Sequence, residues 1–431
     1  MMKKYLLSAA ILMSGLVAHA QQTVYVFRGA TIQAIPITNV GDITFSADDT
    51  QVIVGQNGTF NTDEVDSITF DMPTPAETEI LVVYSGNTAS VAMGSGVQGV
   101  TQSINGADVT LTSNNYTDEY TYKVMGTTDN GSLLIVGDYK LTLELSGCSI
   151  ASASGEPINV DCGKRIAIKL VDGTVNNFVD CAGGQQKGCF VVDGHAEFEG
   201  GGTLNVTGNT NHGMKIGEYL QVKKTTGAIN ILKAVNDGIH CGKGRVNNAN
   251  NYFEMKGGVI TVKNVGGDCV DADDYGVMRI EGGALDLEVA YDAKGLKSDS
   301  TFTMTGGTIN FTCAKDLGEG IRTNYHGFFE GGTITGVITG NGTKGINANK
   351  SGSTGTVLNG GYLYMNGTDV TLTVSGGTHV DGADKTKCHG LRAEQILTQT
   401  AGTIDITVTN TDAKAYNAMF LNRTGGTLNV K

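Results

Sequence analysis

Two motifs recurring at one shared period, together with a glycine-rich and proline-poor composition, predict an all-β chain. The expected architecture is a right-handed single-stranded parallel β-helix of about 25-residue coils, preceded by a small N-terminal β-unit. The first motif is a Gly-Gly step followed by alternating apolar residues: GGTLNV (201–206), GGVITV (257–262), GGALDLEV (282–289), GGTINF (306–311), GGTITGV (331–337), AGTIDITV (401–408) and GGTLNV (425–430), with TGAINIL (226–232) as a degenerate copy. The second is a small, then an apolar, then a polar residue: HGMKIG (212–217), DGIHCG (237–242), DCVDAD (268–273), KGLKSD (294–299), EGIRTN (319–324), KGINAN (344–349) and HGLRAE (389–394). The 62 glycines show no Gly-x-y period, which excludes collagen, and an apolar content of 40% excludes simple disorder.

Along the chain, residues 1–20 read as a secretory leader. Lys3 and Lys4 precede an apolar run, and Ala18-His19-Ala20 is a small-x-small cleavage site, so the mature chain is expected to start at Gln21 and to be secreted, periplasmic or on the cell surface. The run is too short to remain as a membrane span. Residues 21–71 hold two half-repeats, the first closing on Asp-Ile-Thr-Phe and the second on Asp-x-Ile-Thr-Phe, and resemble the small β-unit found on secreted Bacteroidetes-type proteins. Residues 72–79 (MPTPAETE) read as a linker. Residues 80–431 form the β-helix, with irregular early coils up to about residue 200, an insertion near 245–252 and disorderly phasing between 340 and 380.

Period-two alternation sends one apolar residue per strand inward. One column is Leu204, Ile260, Leu285, Ile309 and Ile334; another is Met214, Ile239, Val270, Leu296, Ile321, Ile346 and Leu391. Eight cysteines show neither CxxC nor zinc spacing and read best as small core hydrophobes, with Cys181–Cys189 or Cys148–Cys162 as conceivable bridges.

Loss of Lys3 and Lys4 takes the formal charge from −13 to about −15, which argues against nucleic acid and anionic membrane as partners. Stacked coils turn sequence columns into ladders. The position two before the inward residue reads His212, Asp237, Asp268, Lys294, Glu319, Lys344 and His389. Asp237 and Asp268, with Asp271, Asp273 and Asp274 following and Asp292 in the next coil, form a carboxylate cluster whose repulsion a hard cation would relieve, so calcium is the expected cofactor. Against this, the same aspartates can cap turns, and Lys243, Lys294 and Lys297 can neutralise them. The position one after the inward residue reads Lys215, His240, Asp271, Lys297, Arg322, Asn347 and Arg392. Alternation turns it outward, and a row containing Lys215, His240, Lys297, Arg322 and Arg392 suits the repeating carboxylates of an acidic sugar chain. Trp is absent and flat aromatic platforms look thin, leaving Tyr252, Tyr275, Tyr325, Tyr362 and Tyr364.

The runs SGCSIASASGEPINVDCGKRIAIKLVDGTVNNFVD (146–180), GGTLNVTGNTNHGMKIG (201–217), NDGIHCGKG (236–244) and KGLKSD (294–299) resemble a family of secreted bacterial carbohydrate-binding β-helix proteins first described from a cellulolytic clostridium. The resemblance implies a pectate-lyase-like fold, bound calcium, and binding to polygalacturonate-like and cellulosic polymers. It does not imply lyase activity, and Lys294 and Lys344 replace the acidic member of its DGI pattern. The leading expectation is therefore non-catalytic binding of an acidic, pectin-like polysaccharide. The alternatives are a calcium-dependent polysaccharide lyase using Lys297, Lys215 or Arg322 as the base, and a structural or adhesive surface protein.

Overall fold

The computed structural model of the chain describes residues 23–29, 31–55, 58–242, 251–350 and 360–431. The leader, Lys243 and most of the insertion near 245–252 lie outside them. The described chain is mostly strand joined by turns, with one short 3₁₀ turn at Ile37–Asn39 as its helical element. Among the described residues no helix is long and apolar enough to cross a membrane.

The two N-terminal half-repeats exchange their closing strands. The hairpin Thr23–Arg28/Thr31–Pro36 of the first is completed by Ser67–Thr69 of the second, and Gln51–Val54/Gly58–Asn61 of the second pairs with Ile43–Phe45 of the first. Val24, Val26, Ile35, Val52, Val54 and Phe60 fill the space between these two sheets. Tyr25 and Ala34, on the other face, pack against Leu81, Val83 and Met125, with Met72 beside them.

From Glu79 onward the chain forms a long network of parallel pairings, an all-β architecture of the β-helix or solenoid kind. Two antiparallel hairpins begin it, Glu79–Ser85 with Thr88–Met93 and Val100–Asn105 with Asp108–Ser113. From Ile158–Asp161 through Thr333–Ile338 each strand pairs with the strand three places later, which separates the network into three faces. The first holds His212–Ile216, Ile239–Cys241, Val270–Ala272, Lys294–Ser298, Glu319–Thr323, Lys344–Ala348 and the start of His389–Ala401. The second holds His195–Glu199, Leu220–Val222, Tyr252–Met255, Val277–Ile280, Phe302–Met304, His326–Phe329 and Tyr362–Asn366. The third holds Thr203–Thr207, Ala228–Lys233, Val259–Val262, Ala284–Glu288, Thr308–Cys313, Thr333–Ile338 and Asp369–Val374.

Every member of the column Met214, Ile239, Val270, Leu296, Ile321, Ile346 and Leu391 pairs with the next, and all are fully buried. On the third face Leu204 continues through Ile229 to Ile260, Leu285, Ile309 and Ile334 in the same way. Burial of such side chains stabilises the fold by roughly 1.5–3 kcal/mol each. The Gly-Gly step makes a corner of positive φ (76° at Gly258, 82° at Gly283, 84° at Gly307), which L-residues adopt at a cost. At Gly283 an added Cβ would also lie 2.7 Å from the carbonyl oxygens of Gly257 and Gly258. Outside the corner, Asn205 Nδ2 donates to Asn177 Oδ1 and Asn230 Nδ2 to Asn205 Oδ1, each at 2.9 Å, an amide ladder along the third face. All eight cysteines are free thiols, Cys181 half-buried and the other seven buried, so neither conceivable bridge is formed.

Candidate functional site

The first face concentrates the polar chemistry, and a glycine column shapes it. In His212-Gly213-Met214 the Cβ that Gly213 lacks would point at Ile231 of the core (2.8 Å) and at the carbonyl of Gly238 in the next coil (2.6 Å). Gly213 and Met214 therefore both turn inward and the alternation breaks between them. As a result His212 and Lys215, three residues apart, come to the same outer face. The same close approach recurs at Gly238, Gly295, Gly320, Gly345 and Gly390. This is why the second motif demands a small residue before the apolar one.

The outer face carries two ladders in strict register. Lys294 pairs with Glu319, Glu319 with Lys344 and Lys344 with His389; charge alternates over the first three, and Lys344 Nζ lies 3.4 Å from Glu319 Oε1. Beside it run Lys215, His240, Asp271, Lys297, Arg322, Asn347 and Arg392, each paired with the next. Simple alternation makes this second row solvent-exposed. Instead Lys215 is 7% exposed, His240 6%, Asp271 4% and Asn347 1%. The side chains lie along the ladder and cover one another; strand spacing alone does not bury them, since Asp286, Asn310 and Thr335, stacked in register on the third face, are exposed.

Lys215 Nζ donates to the Gly242 carbonyl. His240 Nδ1 lies 2.9 Å from Asp237 Oδ2 and 3.5 Å from Asp271 Oδ2, and its Nε2 lies 3.8 Å from Asp273. Asp268 is tied to the same knot, its backbone N–H donating to Asp237 Oδ1 at 2.8 Å. Lys297 Nζ sits 3.0 Å from Asp271 Oδ1, 3.6 Å from Asp299 and 4.0 Å from Asp268. Arg322 Nε donates to Asn324 Oδ1 at 3.0 Å, and Arg392 donates to Asn347, Asn349 and Glu394. Asp274 and Asp292 stand apart: both hold positive-φ turn positions (53° and 51°), and Asp292 is exposed. Neither joins the groups of ligand atoms that cluster within 4.8 Å, which are His212, Asp237 and His240, and His240, Asp271 and Asp273.

Burial pushes the Asp271 carboxyl up to about 7 even with Lys297 beside it, and burial together with the Asp237 charge pushes Asp268 up to about 6. Burial would raise Asp237 too, but the flanking imidazoles and the Asp268 N–H hold it well below the carboxylate range. Burial lowers His240. Lys297 moves the other way: its three carboxylate neighbours outweigh burial and raise it.

A calcium cage needs six to eight oxygens converging on one point. Here imidazole nitrogens stand among the carboxylates, and the Lys297 ammonium already neutralises Asp271. These residues do not fit calcium.

At the far end of the face, burial and the charges of Lys344, Arg392, Lys414 and Lys387 push His389 down to about 4. Its Nδ1 is buried without a hydrogen-bond partner among the described residues. Because the folded-state value is depressed, the stability His389 contributes is complete above pH 6.5 and is lost as pH falls toward 4, by about 3 kcal/mol at most. Urea unfolding at pH 7.5 and 4.5 should show the His389→Gln variant losing less stability across this interval than the parent. An equal loss in both would remove His389 as the cause.

The second face carries a feature that the sequence pattern does not disclose. The rings of His195 and Tyr219 stack at 4.4 Å, Tyr219 and Tyr252 at 4.4 Å with 6° between planes, and the Arg279 guanidinium covers Tyr252 at 5.5 Å. Further along, Phe328 and Tyr364 stack at 4.9 Å. The repeated aromatic before Leu220 and Phe253 is the signal that could have found it, hidden by the insertion between them. Tyr219 has both faces covered, by His195 and Tyr252, so this stack braces successive coils rather than offering a flat platform.

Fold and face together define the class: an elongated all-β solenoid with one laddered, charged face. Residues 105–431 match the family described as carbohydrate-binding domain-containing protein, and the chain belongs to that family. No curated protein matches the sequence. One similar solved structure is a polysaccharide lyase-like protein from C. thermocellum, determined as a gadolinium derivative. It shares 17% identity over 82% of this chain and 99% of its own, with a TM-score of 0.34, a likeness too loose to carry an argument about the site.

Proposed function

We propose that this is a secreted, non-catalytic polysaccharide-binding protein, wound right-handed in coils of about 25 residues, that holds an acidic, pectin-like chain along its first face. Membership of the carbohydrate-binding family supports the ligand class. The observation that carries the acidic preference is Arg322. It is half-buried, its Nε is held by the neutral amide of Asn324, and it has no carboxylate ion-pair partner among the described residues. It stands in register between Lys297 and Asn347, with Arg392 next. A uronate polymer lying along the axis would meet Arg322 and, two strands further on, Arg392, and a guanidinium binds a carboxylate through two parallel hydrogen bonds.

Proton abstraction is no part of this reading. A lyase base must be able to lose its proton near neutrality, whereas Lys297 is locked among carboxylates that strengthen its hold on one. Lys215 is buried on a carbonyl and Arg322 stays charged.

The test is affinity electrophoresis in gels containing polygalacturonate. Arg322→Ala should weaken retardation about tenfold, and Arg322→Ala/Arg392→Ala should weaken it further, with melting temperature little changed. Undiminished retardation of the double variant would remove the first face as the binding surface.

A further inference from the structure

We propose that His212, Asp237 and His240 form a binding site for a divalent transition ion of the zinc class. The two imidazoles come from neighbouring strands of the first face, their ring centroids 4.5 Å apart, and both turn Nδ1 toward one oxygen, Asp237 Oδ2. His240 Nδ1 lies 2.9 Å from it and His212 Nδ1 3.2 Å. Yet His212 Nδ1, on a residue only 8% exposed, makes no hydrogen bond among the described residues. A buried imidazole nitrogen close to a carboxylate oxygen without hydrogen-bond geometry is what two ligands of one ion look like. Two ligands each about 2.0–2.1 Å from a tetrahedral ion stand roughly 3.3 Å apart.

The chemistry of the donors selects the ion. Two nitrogens and one carboxylate oxygen suit zinc, cobalt or nickel; calcium and magnesium want oxygen alone. The Asp273 carboxylate lies 3.8 Å from His240 Nε2, and the nearby Lys215 ammonium donates to the Gly242 carbonyl. Three protein ligands leave a fourth position for water or a ligand hydroxyl.

The experiment uses the full chain, stripped with chelator and dialysed, with Co²⁺ as the spectroscopic probe. One equivalent of Co²⁺ should give the visible absorption of a four-coordinate ion, be displaced by Zn²⁺, and survive a large excess of Ca²⁺. His212→Gln and the isosteric Asp237→Asn should each weaken Co²⁺ binding at least about 100-fold, while Arg392→Ala leaves it unchanged. X-ray absorption of the zinc-loaded parent, which needs no variant to fold, should report two imidazoles. Absence of Co²⁺ and Zn²⁺ binding, displacement of Co²⁺ by comparable Ca²⁺, unchanged binding in both ligand variants, or fewer than two imidazoles on zinc would each overturn the site. None of these readouts involves a glycan, so the site and the proposed glycan binding stand or fall separately.

Discussion

Replacing Gly320 with valine is expected to destabilise the protein by at least about 3 kcal/mol. An added Cβ at this position would lie 2.4 Å from the Phe311 ring and 2.6 Å from the Gly345 carbonyl oxygen. Neither can retreat, because Phe311 is buried in the core and the Gly345 carbonyl belongs to the next strand of the ladder. The two further methyls of valine add to the clash. The glycine column continues through Gly295 and Gly345, so a displaced coil would push its neighbours as well. Thermal and urea unfolding of the variant measure the effect, with Gly320→Ala as the milder comparison. A valine variant within about 1 kcal/mol of the parent would mean that the column has space the geometry denies it.

Substitution of Lys297 by methionine is expected to cost about 3 kcal/mol at pH 7.5. The ammonium is the shared partner of Asp271, Asp299 and Asp268, and the Asp271 carboxylate beside it is almost wholly buried. Methionine keeps most of the stem packing and removes only the charge, so the buried Asp271 carboxyl must either stand uncompensated beside Asp268 and Asp299 or take up a proton. The double variant Lys297→Met/Asp271→Asn should recover most of the loss, because the uncompensated charge is what costs stability. Additive losses in the double variant would assign the role of Lys297 to packing instead.

The parts of this fold legible in the sequence are those set by one residue type at one repeat distance. The column from Met214 to Leu391 can be read off the chain because an inward strand position tolerates only apolar side chains and each coil repeats it. The corner glycines are legible for the same reason. Burial of the polar face is not. That depends on the break at Gly213, where two consecutive residues turn inward, and strict alternation has no means of expressing it. The grouping of His212 and His240 around Asp237 follows from the same break, since otherwise Asp237 and His240 would lie on opposite sides of the sheet. Asp274 and Asp292 look like members of an acidic cluster in sequence, but their left-handed backbone assigns them to turns. The stack of His195, Tyr219 and Tyr252 escapes notice because the insertion interrupts the period between two of its members. In the early coils, Leu141–Ala151 runs as one strand through a region where later coils have a Gly-Gly corner, so the period fades there.

Whether the first face holds an acidic polysaccharide without cutting it is measured most directly by retention of the purified protein on immobilised polygalacturonate and on a neutral glucan. Both columns are run with and without chelator, while absorbance for a newly formed double bond is followed in the eluate. The expected result is retention on the acidic polymer that weakens with salt, little on the neutral one, and no new double bond. Equal retention on both polymers, or release of unsaturated product, would contradict it.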